Sequence, residues 1–300
     1  MSARLFLALL LSSLVCVPAL ADSSSPQLAA YYDRQMAIVA GKVYAWKQRA
    51  VPAQVAIAAQ QVGVARDKYY VLANNGNLIT FEAPGRRHTV LMRGVKRFAA
   101  GDSGVLAITI DYALWWLSAG RKTLLANGVV AAAVGDGANY YVTRSGDLFV
   151  RGRAHRGQYG DGRLTRTEQF VRTAFGVVHV TAHTGHAILL LDNGDVMGTG
   201  GNIFGPVGKH GLGDKAVRWS KIMSGAKAVA TGSSHSLAIR KDGTLVAWGR
   251  GYGSTPKRVM SEVVAVAAGS RTTIALKSDG TLWQWERAQN PAQVRLPAKN

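Results

Sequence analysis

The sequence predicts an all-β fold: a seven-bladed β-propeller with four antiparallel strands per blade. Three observations predict it. A hairpin turn recurs seven times along the chain, a run of small apolar residues precedes each hairpin where the repeat is clearest, and a large residue usually stands at a fixed place after the turn. The unit is plainest over 226–251, AKAVATGSSHSLAIRKDGTLVAWGRG, and is written again over 263–285, VVAVAAGSRTTIALKSDGTLWQW. Asp-Gly between two apolar runs is a strong hairpin signal, because a tight primed turn needs positive φ there.

Residues 1–21 read as a leader rather than as part of the fold. Arg4 supplies a positive start, Leu5 to Val17 form a short apolar core, and Ala19-Leu20-Ala21 fits a small-x-small cleavage site. Cleavage after Ala21 leaves one domain, 22–300, without the chain's single cysteine, Cys16. Its stability then rests on a core and not on disulfides. No further stretch is long and apolar enough for a spanning helix.

The turn markers follow in order. Gly41, Gly76, Asp111 and Gly146 are spaced by 35 residues, and Gly194, Gly243 and Gly280 follow at 48, 49 and 37. A near-fixed period of this size marks a repeat architecture. Asp111 stands for glycine because Asp tolerates the left-handed region. Five residues after the markers come Trp46, Phe81, Trp116, Arg151, Thr199, Trp248 and Trp285. An aromatic at one place in each unit fits packing between neighbouring units better than a ligand cage.

The first strands are rich in small residues, as in 129–135, 226–232 and 263–269. They suit the crowded axis of a ring of radial sheets. The tryptophan strand lies further out, and a fourth strand follows it, often after proline, as at Pro52, Pro256 and Pro291. Four strands in each of seven units describe a propeller. The ring is expected to close by pairing a strand near 27–39 with the C-terminal strands, 281–296.

Gly232-Ser-Ser-His-Ser-Leu-Ala, then Asp242-Gly-Thr-Leu-x-x-Trp248-Gly249, and Gly157-Gln-Tyr-Gly-Asp-Gly162 after the fourth unit, resemble the repeat of the regulator of chromosome condensation family. The resemblance is specific in units four to seven and eroded in units one to three. It implies a seven-bladed propeller. Some members of that family are guanine nucleotide exchange factors that bind chromatin. Others, including an exported bacterial inhibitor of β-lactamases, use the propeller as a binding surface. Fold alone does not carry function.

Chemistry is hard to find. His179, His183 and His186 are the one cluster to weigh as a metal site. His186 falls on the repeat histidine, His235, which points to a hydrogen bond at a turn instead of a ligand role. No metal or cofactor is expected. The glycines at 198, 200, 201 and 249–253 follow strands and open no helix, so a phosphate cradle fails. No Ser/His/Asp or Cys/His spacing singles out a nucleophile, and most carboxylates stand in turns, where Asp has a geometric reason to be. The chain is not expected to be an enzyme.

Charge and loops say more. Lysines and arginines number 36 against 17 acids, a net charge of +19. That favours an acidic protein or another polyanion as partner, nucleic acid included. Two insertions, 152–168 and 200–217, leave the ring after third strands. Loops on a rigid scaffold are where binding usually sits. Arg153, His155, Arg156, Tyr159, Arg163, Arg166, Phe204, Lys209, Arg250 and Tyr252 are the candidate contacts. The loops between third and fourth strands collect further bases, among them Arg86, Arg87, Arg121, Lys122, Lys215, Lys257 and Arg258, and the opposite face collects Asp111, Asp147, Asp192, Asp195, Asp242 and Asp279. The expectation is therefore a periplasmic or secreted monomeric binding module that meets an anionic or protein partner through its basic loop face. The alternative is an exchange-factor-like regulator, or an enzyme with an axial-pocket site.

Overall fold

A computed structural model describes residues 28–208 and 213–297. The leader expected over 1–21, its cleavage site, and Lys209 lie outside the described residues. Seven four-stranded antiparallel sheets follow in chain order: residues 28–55, 59–92, 95–126, 129–174, 177–223, 226–260 and 263–294 form blades 1 to 7. No helix occurs among the described residues.

Each first strand neighbours the first strand of the next blade, and Leu28–Tyr31 of blade 1 meets Val263–Ala268 of blade 7, so the ring is closed. Small side chains permit this inner crowding, as in Val129–Val134, VVAAAV. Apolar side chains alternate between the two faces of each sheet and meet those of the neighbours. Seven buried clusters result, one per blade–blade interface.

The expected strand exchange at closure is absent. Blade 1 takes all four strands from the N-terminal side and blade 7 all four from the C-terminal side. The ring closes through packing of Ala37, Tyr44 and Trp46 against Ile274, Leu276 and Leu282. Because each sheet is complete within its own stretch, no strand is left over to be lent.

The turns also differ from expectation. In blade 6 only Gly243 is left-handed, at φ 85°; Asp242 is not. Such a three-residue loop needs one left-handed residue, whereas the two-residue type I′ turn needs two. Asp242 has another task there, accepting the Thr244 N–H at 2.8 Å. Ala40-Gly41 of blade 1, at φ 48° and 74°, is the two-residue primed case.

In blade 3 the frame moves by one. The left-handed residue is Tyr112, at φ 67°, and not Asp111. The fifth residue after it is Leu117, so Leu117, and not Trp116, holds the fixed place. Leu117 packs between blades 2 and 3, while Trp116 turns to the interface between blades 3 and 4. Asp111 instead takes a hydrogen bond from Thr109 Oγ1.

Candidate functional site

The loops between first and second strands and those between third and fourth strands share one face, here the loop face. Their backbones are tied together in pairs: Arg153 N to Gly137 O at 2.7 Å, Gly201 N to Gly185 O at 2.9 Å, and Arg250 N to Ser234 O at 2.8 Å. Around the ring, Asp136 N reaches His183 O of the next blade at 3.2 Å, and Ser233 N reaches Gly269 O at 3.2 Å.

The two insertions are anchored by one repeated device. Thr199, at the fixed place in blade 5, donates to Gly157 O in the blade 4 insertion at 2.8 Å. Trp248, at that place in blade 6, donates to Pro206 O in the blade 5 insertion at 2.7 Å. Trp285 of blade 7 donates to Tyr252 Oη at 2.7 Å, and Trp46 of blade 1 donates to Gln284 Oε1 at 2.8 Å. In each case a buried donor takes its partner from the preceding blade. The fixed-place residues therefore pack between blades, as expected, and also pin loops, a role that Thr199 fills without being aromatic.

This anchoring sorts the candidate contacts. Tyr159 is fully buried, its hydroxyl donating to Gly152 O at 2.7 Å. Tyr252 is buried too, and its hydroxyl donates to Arg287 O. Both were expected on the face; both serve the core, because an aromatic in a loop closed this tightly is its cheapest filling. Arg153, His155, Arg156, Arg163, Arg166, Phe204 and Arg250 are exposed.

Three of those arginines carry acids beside them. Arg153 meets Asp136 at 3.4 Å, Arg163 meets Asp161 at 3.0 Å, and Arg166 meets Glu168 at 2.6 Å. Such exposed pairs contribute little to stability, but they leave only two of those five exposed arginines without an acid beside them. Arg156 and Arg250 form no ion pair among the described residues. Arg156 lies across Gly185 and Gly201 of blade 5. The Arg250 guanidinium stacks over the Phe204 ring at 4.4 Å. Beside Phe204, Ile203 is 68% exposed, an apolar tip on the same insertion.

Lys257 and Arg258, expected on this face, stand on the outer strand Gly253–Met260. Arg258 lies toward the turn face: Asp242 is held below the usual carboxylate range by the Thr244 backbone and side-chain hydrogen bonds, and the charges of Arg240 and Arg258 add to this. Several turn-face acids are spent locally, Asp195 on Lys221 at 2.8 Å and Asp147 on Arg172 at 3.4 Å.

The axial mouth on the loop face is occupied by aromatic rings. Tyr31 of blade 1 stacks on His183 of blade 5, with centroids 4.6 Å apart. Burial, with Asp102 adding, raises the Tyr31 pKa. Thr184 N–H donates to His183 Nδ1 at 2.9 Å, so the ring proton is on Nε2, which is buried and has no partner among the described residues. Burial, with the charge of His235 adding, holds the His183 pKa down to about 3. Asp102 is spent on Arg66, taking its N–H at 3.0 Å and its guanidinium at 3.6 Å. The hydroxyls of Thr184, at 2.8 Å, and Ser233, at 3.4 Å, also stand beside His183 Nδ1.

The repeat histidines bond across blades and not at turns. His186 Nε2 is 3.0 Å from Ser236 Oγ, and His235 Nε2 is 3.1 Å from Thr273 Oγ1. The partners are hydroxyls on the next blade's second strand. His179 stands on the innermost strand Val177–Ala182, exposed and apart from them. Among the described residues no three His, Cys, Asp or Glu side chains converge as a metal set.

Residues 226–253 match the family model "Regulator of chromosome condensation (RCC1) repeat". One unit of the seven-bladed β-propeller is thus similar to that family's repeat. It is 32% identical over 132 residues to the secretion-regulating guanine nucleotide exchange factor of Bos taurus, covering 42% of this chain and 28% of that one. The Mus musculus counterpart is 31% identical over 135 residues. The chain spans under a third of the length of these relatives. Among solved structures it is similar to Prp20p from Saccharomyces cerevisiae, with a TM-score of 0.71 and 15% identity over 84% of this chain and 83% of that one. That protein is described with its binding to Gsp1p and histones. The ectodomain of the Arabidopsis thaliana receptor kinase ACR4 has a TM-score of 0.59 and 13% identity over 91% of this chain and 98% of that one.

Proposed function

We propose that this chain is an exported, non-catalytic binding module that engages an acidic protein through its loop face. One observation carries the reading. Two long insertions are pinned to their neighbouring blades, and around them Arg156, Arg250 and Phe204 stay exposed and uncommitted. A rigid surface with an arginine stacked on an aromatic suits protein recognition, where Arg and aromatic residues carry most of the binding energy. Export rests on the leader-like residues 1–21.

The test is capture with the mature protein from its own envelope fraction, at low and high salt. A partner of low isoelectric point that is held at low salt, released at high salt and lost on Arg156→Ser with Arg250→Ser supports the reading. Retention indifferent to both salt and those changes overturns it.

The likeness to the secretion-regulating exchange factors favours a second reading, a regulator that releases nucleotide from a small GTPase. Its test is nucleotide release from a GTPase carrying a fluorescent guanine nucleotide. Acceleration by this chain would establish it and displace the first.

A further inference from the structure

We propose that the cleft between blades 2 and 3 is where an acidic segment of the protein partner enters; this rests on the acidic-partner reading above. Between blades 4 and 5, 5 and 6, 6 and 7, and 7 and 1, the fixed-place side chain donates a hydrogen bond to the preceding blade and closes the interface. Between blades 2 and 3 that place holds Leu117. Like Phe81 between blades 1 and 2 it has nothing to donate, but Leu117 is also smaller than that aromatic. The interface stays open there as a cleft of about 550 Å³.

Its lining has two characters. Leu91, Val105 and Leu117 supply apolar wall, and Lys68, Arg121 and Lys122 stand at its edge. Two acids, Asp67 and Asp102, also line it, and Asp102 is already paired with Arg66. Lys68, Arg121 and Lys122 form no ion pair among the described residues. The cleft is therefore cationic in surplus. The tight turn Ala119-Gly120, with both residues left-handed at φ 48° and 74°, brings Arg121 to the rim in place of a long loop that would cover it. Arg121–Ala126 is also the outermost strand of its sheet, so the cleft opens onto a strand edge. An extended peptide with carboxylates for the three cations and apolar side chains for the wall matches both characters, and a free strand edge suits an extended backbone. A nucleic acid would satisfy the cations and leave the apolar wall without a partner.

The probe is a fluorescein-labelled octapeptide of alternating glutamate and leucine, followed by anisotropy. Its glutamine–leucine counterpart and a single-stranded oligonucleotide of equal charge serve as comparisons. The glutamate peptide is expected to bind saturably and more tightly than both. Changing Lys68, Arg121 and Lys122 to Gln together is expected to weaken it by about tenfold. Changing Lys241, exposed in the blade 6 turn on the opposite face of the ring, to Gln is expected to leave it nearly unchanged. Equal binding of the two peptides, tighter binding of the oligonucleotide, or full affinity in the triple variant overturns the proposal. Loss only in the Arg156 and Arg250 variant would keep the acidic-partner reading and remove the cleft from it.

Discussion

Trp46 Nε1 donates a 2.8 Å hydrogen bond to Gln284 Oε1, joining the first and last blades across 238 residues of sequence. The same amide donates through Nε2 to Gln48 O at 2.7 Å, so one side chain binds blade 1 twice. No strand is shared at this seam, so these polar contacts and the apolar cluster around them hold the ring shut. A double-mutant cycle on Trp46→Phe and Gln284→Leu should give a coupling of about 1 kcal/mol in urea unfolding. Additive single changes would show that the bond contributes nothing to closure.

Trp248 is fully buried and holds Pro206 O. Trp248→Ala should cost about 3–5 kcal/mol, the range for a large aromatic lost from a core. Trp248→Phe keeps most of the packing and leaves the Pro206 carbonyl with only Ser236 Oγ, at 2.8 Å. It should cost about 1–2 kcal/mol. Chemical denaturation measures both, and a wild-type midpoint for the alanine variant would refute the packing assignment.

Blade count and turn positions were legible in the sequence because a repeat states its rule many times. Gly243 and Gly280 carry the turn by a left-handed backbone, which leaves a residue-type signature. Where the signature lapses, sequence and structure part: Tyr112, and not Asp111, holds the left-handed turn position, and Leu117, and not Trp116, the fixed place. The loop face was legible as a charge excess but not as contacts. That Arg153 faces Asp136, 17 residues away, depends on two loops of one blade lying side by side. That Tyr159 and Tyr252 turn inward depends on loop closure, which composition does not express. The cleft between blades 2 and 3 is lined by residues from five separate stretches of chain, and no local motif brings them together.

Gly157 sits at φ 85°, and a Cβ there would come within 2.5 Å of Ala216 O. The obstacle is backbone and cannot swing aside. Gly157→Ala should therefore lift the blade 4 insertion off the outer strand of blade 5. Trypsin should then cut at Arg163 and Arg166 faster than in the wild type, with a modest fall in Tm. Unchanged proteolysis would mean that the insertion is held elsewhere.

His183 and His186 have pKa values held near 3, and His235 near 4, chiefly by burial. Unfolding returns each to about 6.5. Between these values the unfolded chain binds more protons, so stability is full above about pH 6.5 and falls as the pH drops toward 3. Each histidine adds a slope of at most about 1.4 kcal/mol per pH unit. His183→Phe keeps a ring against Tyr31 and removes one titrating group. Its urea midpoint should fall less steeply than that of the wild type between pH 6.5 and 4. Parallel curves would show that His183 is not titrating with unfolding.

The last prediction separates contact from field on the loop face. Removing Arg163 and Arg166, which leaves Asp161 and Glu168 behind, changes the face by the same two charges as removing Arg156 and Arg250. Long-range attraction should weaken equally in both pairs, and both should lower the association rate at low salt. At high salt that attraction is screened, and only short-range contacts remain. The Arg156→Ser, Arg250→Ser variant should then still dissociate from the captured partner faster than the wild type, because the Phe204 stack is gone. The Arg163→Ser, Arg166→Ser variant should match the wild type. Surface plasmon resonance at two salt concentrations measures both rates. Equal dissociation from both variants at high salt would place the contact outside the Arg156–Arg250 surface.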